Sequence, residues 1–193
     1  LRCLVGSEMC IRDSFYAAHE GIELSGATIG VVGHGRIGSR VARMCAAMDM
    51  RVIVCDPYVK VAEHEQVDLD VILTESRIIT MHTPLTDETR KLLDAAAFAR
   101  MQDGVIIVNA ARGGVIDTQA LVDALDSGKV YAAGLDVTAP EPLDPEHTLL
   151  NRDNVVVTPH IASATDKGRV RMYSGAIENA RQVLAGELSL IHI

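Results

Sequence analysis

A glycine triplet between two strand-like runs constrains this chain more than any other feature. Thr28-Ile29-Gly30-Val31-Val32 reads as a buried strand, followed at once by Gly33-His34-Gly35-Arg36-Ile37-Gly38 and a helical stretch from Ser39 to Met48. A second run, Arg51-Val52-Ile53-Val54-Cys55, ends in Asp56, about 20 residues on. With that context, Gly-x-Gly-x-x-Gly predicts a βαβ unit that holds a dinucleotide. Gly33 permits the tight turn, Gly35 lets backbone approach a pyrophosphate, and Gly38 lets the helix pack against the strand. The amides of Arg36 and Ile37 are then expected to face the pyrophosphate, where the helix dipole favours anions. Asp56 can accept hydrogen bonds from the adenosine ribose hydroxyls, and its charge repels a 2′-phosphate. The pattern therefore predicts NAD in preference to NADP.

Further along, strand-like runs at residues 77–80, 105–108, 130–135 and 155–157 alternate with helical stretches. Leu69 to Glu75, Asp87 to Leu93, Ala95 to Met101, Thr118 to Ser127 and Thr165 to Gly186 read as helices. The alternation implies right-handed crossovers and an α/β fold with a doubly wound parallel sheet, ordered 3-2-1-4-5-6. There are no internal repeats or low-complexity tracts.

Three polar residues stand just past the carboxyl ends of such strands, where open α/β sheets place ligands. Arg112 lies in Asn109-Ala110-Ala111-Arg112-Gly113-Gly114 after the 105–108 run. Glu141 lies in the proline-rich loop Ala139-Pro140-Glu141-Pro142, which follows Asp136 and whose stiffness helps hold it. His160 lies in Thr158-Pro159-His160-Ile161-Ala162-Ser163. A guanidinium, a carboxylate and an imidazole at one sheet edge suit hydride chemistry on a small acid. His160 fits the acid/base, because imidazole titrates near neutrality. Glu141 would bond its other ring nitrogen and favour the imidazolium. Arg112 offers a fork of donors for a substrate carboxylate and carbonyl. His82 is expected to pack near the cofactor without a catalytic role, and His19, His64 and His147 to lie on the surface.

These motifs, with Met81-His82-Thr83-Pro84-Leu85-Thr86, resemble the NAD-binding domain of the D-isomer-specific 2-hydroxyacid dehydrogenases, from about Glu20 to about Gly186. The wording around Asp136, Pro140-Glu141-Pro142-Leu143 and His160 is most similar to glyoxylate/hydroxypyruvate reductases. That around His82 and Asn109 is as similar to 3-phosphoglycerate dehydrogenases. The resemblance implies a 2-hydroxy or 2-keto acid of hydroxypyruvate, glyoxylate or phosphohydroxypyruvate type as substrate, and a homodimer of the full-length parent. It also implies that Asp136 contacts the nicotinamide carboxamide. Thr83, Pro84, the Ala110-Ala111-Arg112 backbone, His160, Ala162 and Ser163 would line the same cleft. His34, Arg77 and Asp49 depart from the family pattern: His34 replaces a bulky apolar residue, Arg77 an aspartate, and Asp49 a helix-ending glycine. Relatives that serve as NAD-sensing corepressors keep the same residues, so a non-catalytic interaction module is the alternative reading.

Both ends read differently. Leu188-Ser189-Leu190-Ile191-His192-Ile193 translates CTGTCTCTTATACACATCT, the transposase end used in DNA library preparation. The reverse complement, with its usual adapter bases, encodes Leu4 to Ser14. Residues 1–14 and 188–193 are therefore expected to be adapter translation. Residues 15–187 are the expected NAD-binding domain of a truncated parent, with Phe15-Tyr16-Ala17-Ala18-His19 the tail of an incoming helix.

Composition adds exclusions. A chain of 193 residues, 48% hydrophobic, has ample core for one domain. A net charge of −8 argues against a nucleic-acid footprint. No apolar run approaches ~20 residues, so no membrane span is expected. Cys45 and Cys55 lack metal-site spacing and read as buried thiols of a reducing, cytoplasmic setting.

Overall fold

The computed structural model describes residues 21–187. The expectations for residues 1–14, 188–193 and Phe15 to His19 lie outside them. Seven parallel strands form one sheet: β1 (Thr28–Val32), β2 (Arg51–Cys55), β3 (Glu65–Gln66), β4 (Ile78–Met81), β5 (Val105–Asn109), β6 (Val130–Leu135) and β7 (Val155–Val157), in the order β3-β2-β1-β4-β5-β6-β7. β1, β2 and β4 are Val/Ile-rich and nearly continuously buried, as strands covered on both faces must be. The order reverses between β1 and β4, opening a crevice at their carboxyl ends.

Helices α1 (Gly38–Ala46), α2 (Leu69–Glu75), α3 (Ala95–Arg100), α4 (Thr118–Asp126) and α5 (Asp166–Leu184) complete the fold. Ala42 and Cys45 of α1 join Ile29, Val31, Val52 and Val54 in one apolar cluster. Ile72 and Leu73 of α2, Phe98 of α3 and Leu121 of α4 join Ile53, Ile79 and Ile107 in a second, larger one. The two clusters use alternate residues of the same strands, the two faces of one pleated sheet. Caps fix the helix starts: Asp94 accepts from the Ala97 amide, Asp117 from Gln119 and Ala120, and Thr165 from Gly168. Asp49, where a helix-ending glycine was expected, adopts φ 59° as its short polar side chain allows. No residue of α5 is buried. Among the described residues, no helix is long and apolar enough to cross a membrane.

The structure corrects the sequence expectations at two elements. Asp87 to Leu93 is a series of turns, not a helix. Thr89 donates its hydroxyl to the Pro84 carbonyl (2.6 Å), and Lys91 turns into the left-handed region at φ 52°. The amides of Lys91 and Leu93 then donate to the carbonyls of Gly114 and Val115 instead of continuing a helical ladder. The edge strand β3 carries no apolar pattern, because both of its residues are exposed. It is absent from the sequence reading for that reason, and the expected order 3-2-1-4-5-6 fails for the six strands expected: the third of them, at 77–80, pairs with β1, and Glu65–Gln66 takes the place beyond β2.

Candidate active site

The glycine turn behaves as its chemistry requires. Gly33 has φ 92°, and a Cβ there would stand 2.6 Å from the His82 carbonyl oxygen. A Cβ on Gly38 would overlap the Gly33 carbonyl, so α1 can sit this close to β1 only without one. A Cβ on Gly35 would meet nothing within 4 Å. That open space is where a pyrophosphate needs backbone access, and Arg36 and Ile37 lie exposed beside it. The residues present therefore fit a dinucleotide.

The crevice between the ends of β1 and β4 holds a cleft of about 460 Å³ lined by Gly33, Gly35, Asp56, His82, Thr83 and Pro84, among others. Six expected cofactor residues or neighbours thus share one wall. Asp56 accepts hydrogen bonds from the amides of His34 (2.7 Å), Tyr58 (2.9 Å) and Val59 (3.0 Å). Burial raises its carboxyl pKa, but these three donors outweigh burial and hold it below the ordinary value. The cleft thus presents a fixed negative charge at Asp56, where the sequence reading expects the adenosine ribose. His82 joins the Thr80 hydroxyl through Nε2 at 3.0 Å, and burial lowers its pKa. His34 is half-buried with its ring edge-on to that of His64, centroids 6.0 Å apart. His64 and His147 are consequently half-buried, not surface residues; His147 accepts the Leu149 amide and starts a short 3₁₀ turn. Cys45 is buried and Cys55 half-buried, both as free thiols. His19 lies outside the described residues.

At the other end of the sheet, Glu141 and His160 meet directly. His160 Nδ1 stands 2.6 Å from Glu141 Oε1, with the two side chains 48% and 42% exposed. An ionised carboxylate can only accept, so Nδ1 carries the proton and Nε2 is left for exchange. His160 itself adopts φ 54°, a conformation uncommon outside glycine. Asp136 holds it there. Its carboxylate accepts the Thr158 hydroxyl and the amides of Ile161 (2.8 Å) and Ala162 (2.9 Å), while its carbonyl accepts the His160 amide. Burial raises the Asp136 pKa; Thr158, the two amides and the His160 charge outweigh that and bring it down. Sequence reading gave Asp136 only a ligand contact. Its structural work on the His160 turn was missed, although an aspartate 24 residues before the histidine carries no local signal of it.

Arg112 is exposed, and its Nη1 donates to the Ala111 carbonyl at 2.6 Å. Buried Asn109 shapes the turn beneath it, accepting from the Ala111 amide and donating to the Arg112 carbonyl. The Arg112 and Glu141 loops lie against each other. A Cβ on Gly113 would overlap the Thr138 carbonyl, and the Thr118 hydroxyl donates to the Ala139 carbonyl at 2.6 Å. The loops bearing Arg112, Glu141 and His160 follow neighbouring strands β5, β6 and β7. Ala110 and Ala111 sit at the β5 end, and Ala162 and Ser163 follow His160; none of the four lines the 460 Å³ cleft. Among the described residues, no cluster of three or more metal-ligating side chains occurs.

Residues 5–162 match the family described as D-isomer specific 2-hydroxyacid dehydrogenase, NAD binding domain. The D-3-phosphoglycerate dehydrogenase of Archaeoglobus fulgidus is 48% identical over 157 residues, covering 79% of this chain and 30% of its own. The hydroxypyruvate reductase of Thermotoga maritima is 47% identical over 159 residues, covering 80% of this chain and 52% of its own. Among solved structures, a glyoxylate reductase from Paecilomyes thermophila superposes with TM-score 0.83 at 35% identity, covering 93% of this chain and 57% of that one. A D-isomer specific 2-hydroxyacid dehydrogenase from Xanthobacter autotrophicus Py2, in complex with NADPH and MES, does so with TM-score 0.80 at 32% identity, covering 94% and 78%. The chain spans about a third to a half of the length of these two curated relatives. With its sheet order, glycine turn and match over residues 5–162, the chain belongs to the D-isomer-specific 2-hydroxyacid dehydrogenase family as its NAD-binding domain.

Proposed function

We propose that this chain is the cofactor-binding part of a cytoplasmic, homodimeric oxidoreductase that reduces a small 2-keto acid to the D-2-hydroxy acid, or the reverse. Hydroxypyruvate, glyoxylate and phosphohydroxypyruvate are the substrates to try, since curated relatives carry the names hydroxypyruvate reductase, glyoxylate reductase and D-3-phosphoglycerate dehydrogenase. The His160–Glu141 pair carries the reading, because it supplies an oriented acid/base at the carboxyl edge of the sheet. The nicotinamide cofactor, when bound, gives or takes the hydride at substrate C2. His160 delivers a proton from Nε2 to the C2 oxygen during reduction and recovers it during oxidation. Glu141 accepts the Nδ1 proton and so fixes the ring's tautomer and orientation. Arg112 binds the substrate carboxylate and carbonyl oxygen through its planar fork. Gly33, Gly35, Arg36, Ile37 and Gly38 take the pyrophosphate, Asp56 the ribose, and Asp136 the carboxamide through the acceptor capacity its loop leaves open.

The test uses the full-length reading frame from the source DNA, assayed with each keto acid and NADH. His160→Ala is expected to lose about 10²–10⁴-fold in rate with NADH binding retained; a variant of near-normal rate refutes the acid/base role. The same source DNA decides whether residues 1–14 and 188–193 are adapter translation. The family match begins at residue 5, inside the first of these segments, so genomic sequence coding for residues 5–14 would overturn that reading.

A further inference from the structure

Asp56 starts a loop, residues 56–61, that runs along the adenosine side of the cleft and ends before β3. Its carboxylate has about four acceptor positions, and three are taken by the amides of His34, Tyr58 and Val59. Little acceptor capacity is left for a ribose, so the direction in which the carboxylate points decides whether it serves one.

That direction is set from outside the cleft. Gln66, on the two-residue edge strand β3, donates through Nε2 to the carbonyls of Asp56 (2.8 Å) and Val59 (2.9 Å). Its Oε1 accepts the Val61 amide at 3.0 Å. One side chain thus satisfies three backbone groups of the loop, and it grips the backbone of Asp56 itself. Gln66 is anchored in turn by the pairing of Val54 with it and by the Val67 amide donating to the Val54 carbonyl at 2.8 Å. A glutamine is the fitting residue: it both donates and accepts, and it adds no charge beside Asp56.

We propose that Gln66 is a positioning residue that sets the cofactor preference of this domain by holding Asp56 toward the 2′-hydroxyl side of the adenosine ribose. The proposal rests on the dinucleotide reading of the cleft. Releasing the loop costs NADH the ordered hydrogen bonds to Asp56. It also relieves NADPH of a charge fixed against its 2′-phosphate, so the two affinities move in opposite senses or at unequal rates.

The experiment uses the 193-residue chain in three forms, Gln66→Leu, Gln66→Met and the control Glu65→Gln. Glu65 shares β3 but bonds Arg51, away from the loop. Fluorescence titration with NADH and NADPH gives the affinity ratio, and amide exchange without cofactor reports on residues 58, 59 and 61. Gln66→Leu is expected to weaken NADH roughly three- to tenfold, as loss of a few modest hydrogen bonds does. NADPH affinity stays within about twofold, and exchange at Val61 accelerates. Gln66→Met adds no charge and can neither donate nor accept as the amide does; it carries the same expectation should the leucine variant fail to fold. Glu65→Gln leaves the ratio unchanged. An unaltered NADH-to-NADPH ratio in both Gln66 variants overturns the proposal, even with faster exchange. Failure of the parent chain to bind NADH overturns the dinucleotide reading first.

Discussion

Asp56 and Asp136 read in the sequence as ligand contacts, and both turn out to be held by their own backbone before any ligand arrives. The sequence shows an acid at a strand end; it cannot show that amides from residues 34, 58 and 59, or 161 and 162, converge on it. Such preorganisation makes the charge effective, because nothing must reorient on binding. Asp56→Ala is therefore expected to weaken NADH about 10- to 100-fold, the range for hydrogen bonds to a charged group, and to leave NADPH equal or favoured. Paired fluorescence titrations measure it, and an unchanged preference for NADH would count against Asp56. His82 gives a prediction in stability. Burial lowers its folded pKa below the ordinary 6.5, so between those values the unfolded chain binds more protons. Stability then falls as pH drops below about 6.5 and stops falling beneath the folded value. The depressed pKa values of Asp56 and Asp136 act lower, in the window below 3.8. His82→Gln should therefore close the Tm gap to the parent as pH is taken from 7.5 to 5. A gap independent of pH excludes His82 as the titrating group.

Elements were legible where burial on both faces or helical periodicity forced the pattern. β1, β2 and β4 are apolar runs and were found within about a residue, the usual scatter of boundaries. The turns at 87–93 escaped because their composition suits a helix, and only a distant partner, the 114–115 carbonyls, draws the amides away. Loop-to-loop contact escaped for the same reason. Gly113 looks in sequence like one of a flexible Gly-Gly pair, yet the pair is unequal. A Cβ on Gly113 would run into the Thr138 backbone, whereas one on Gly114 would meet only the end of the exposed Leu85 side chain at 3.0 Å. Backbone cannot move aside as a flexible side chain can. Gly113→Ala is expected to cost about 1–3 kcal/mol, the range for overpacking, and Gly114→Ala clearly less. Denaturant melts of the two variants decide it; equal costs would mean that the Arg112 and Glu141 loops do not bear on each other as described.

At the scale of the molecule, the two halves of the chemistry are unequally finished. The side proposed for adenosine is a walled cleft with a fixed charge. The side proposed to react is an edge, with Arg112 exposed and Glu141 and His160 each more than 40% open to water. On the proposed reading, water there screens the charges that would act on a developing alkoxide. Positioning of the keto acid also needs groups on more than one side, and such positioning can supply several kcal/mol of a barrier. α5 leaves Val170, Tyr173 and Ile177 more than 60% exposed, an apolar surface with no cover among the described residues. The 193-residue chain is therefore expected to bind NADH yet to oxidise it with glyoxylate, hydroxypyruvate or phosphohydroxypyruvate no faster than buffer alone. Loss of NADH absorbance with each acid, set beside the full-length enzyme at equal concentration, measures this. Turnover by the chain approaching that of the full-length enzyme would show that Arg112, Glu141 and His160 suffice without a second wall.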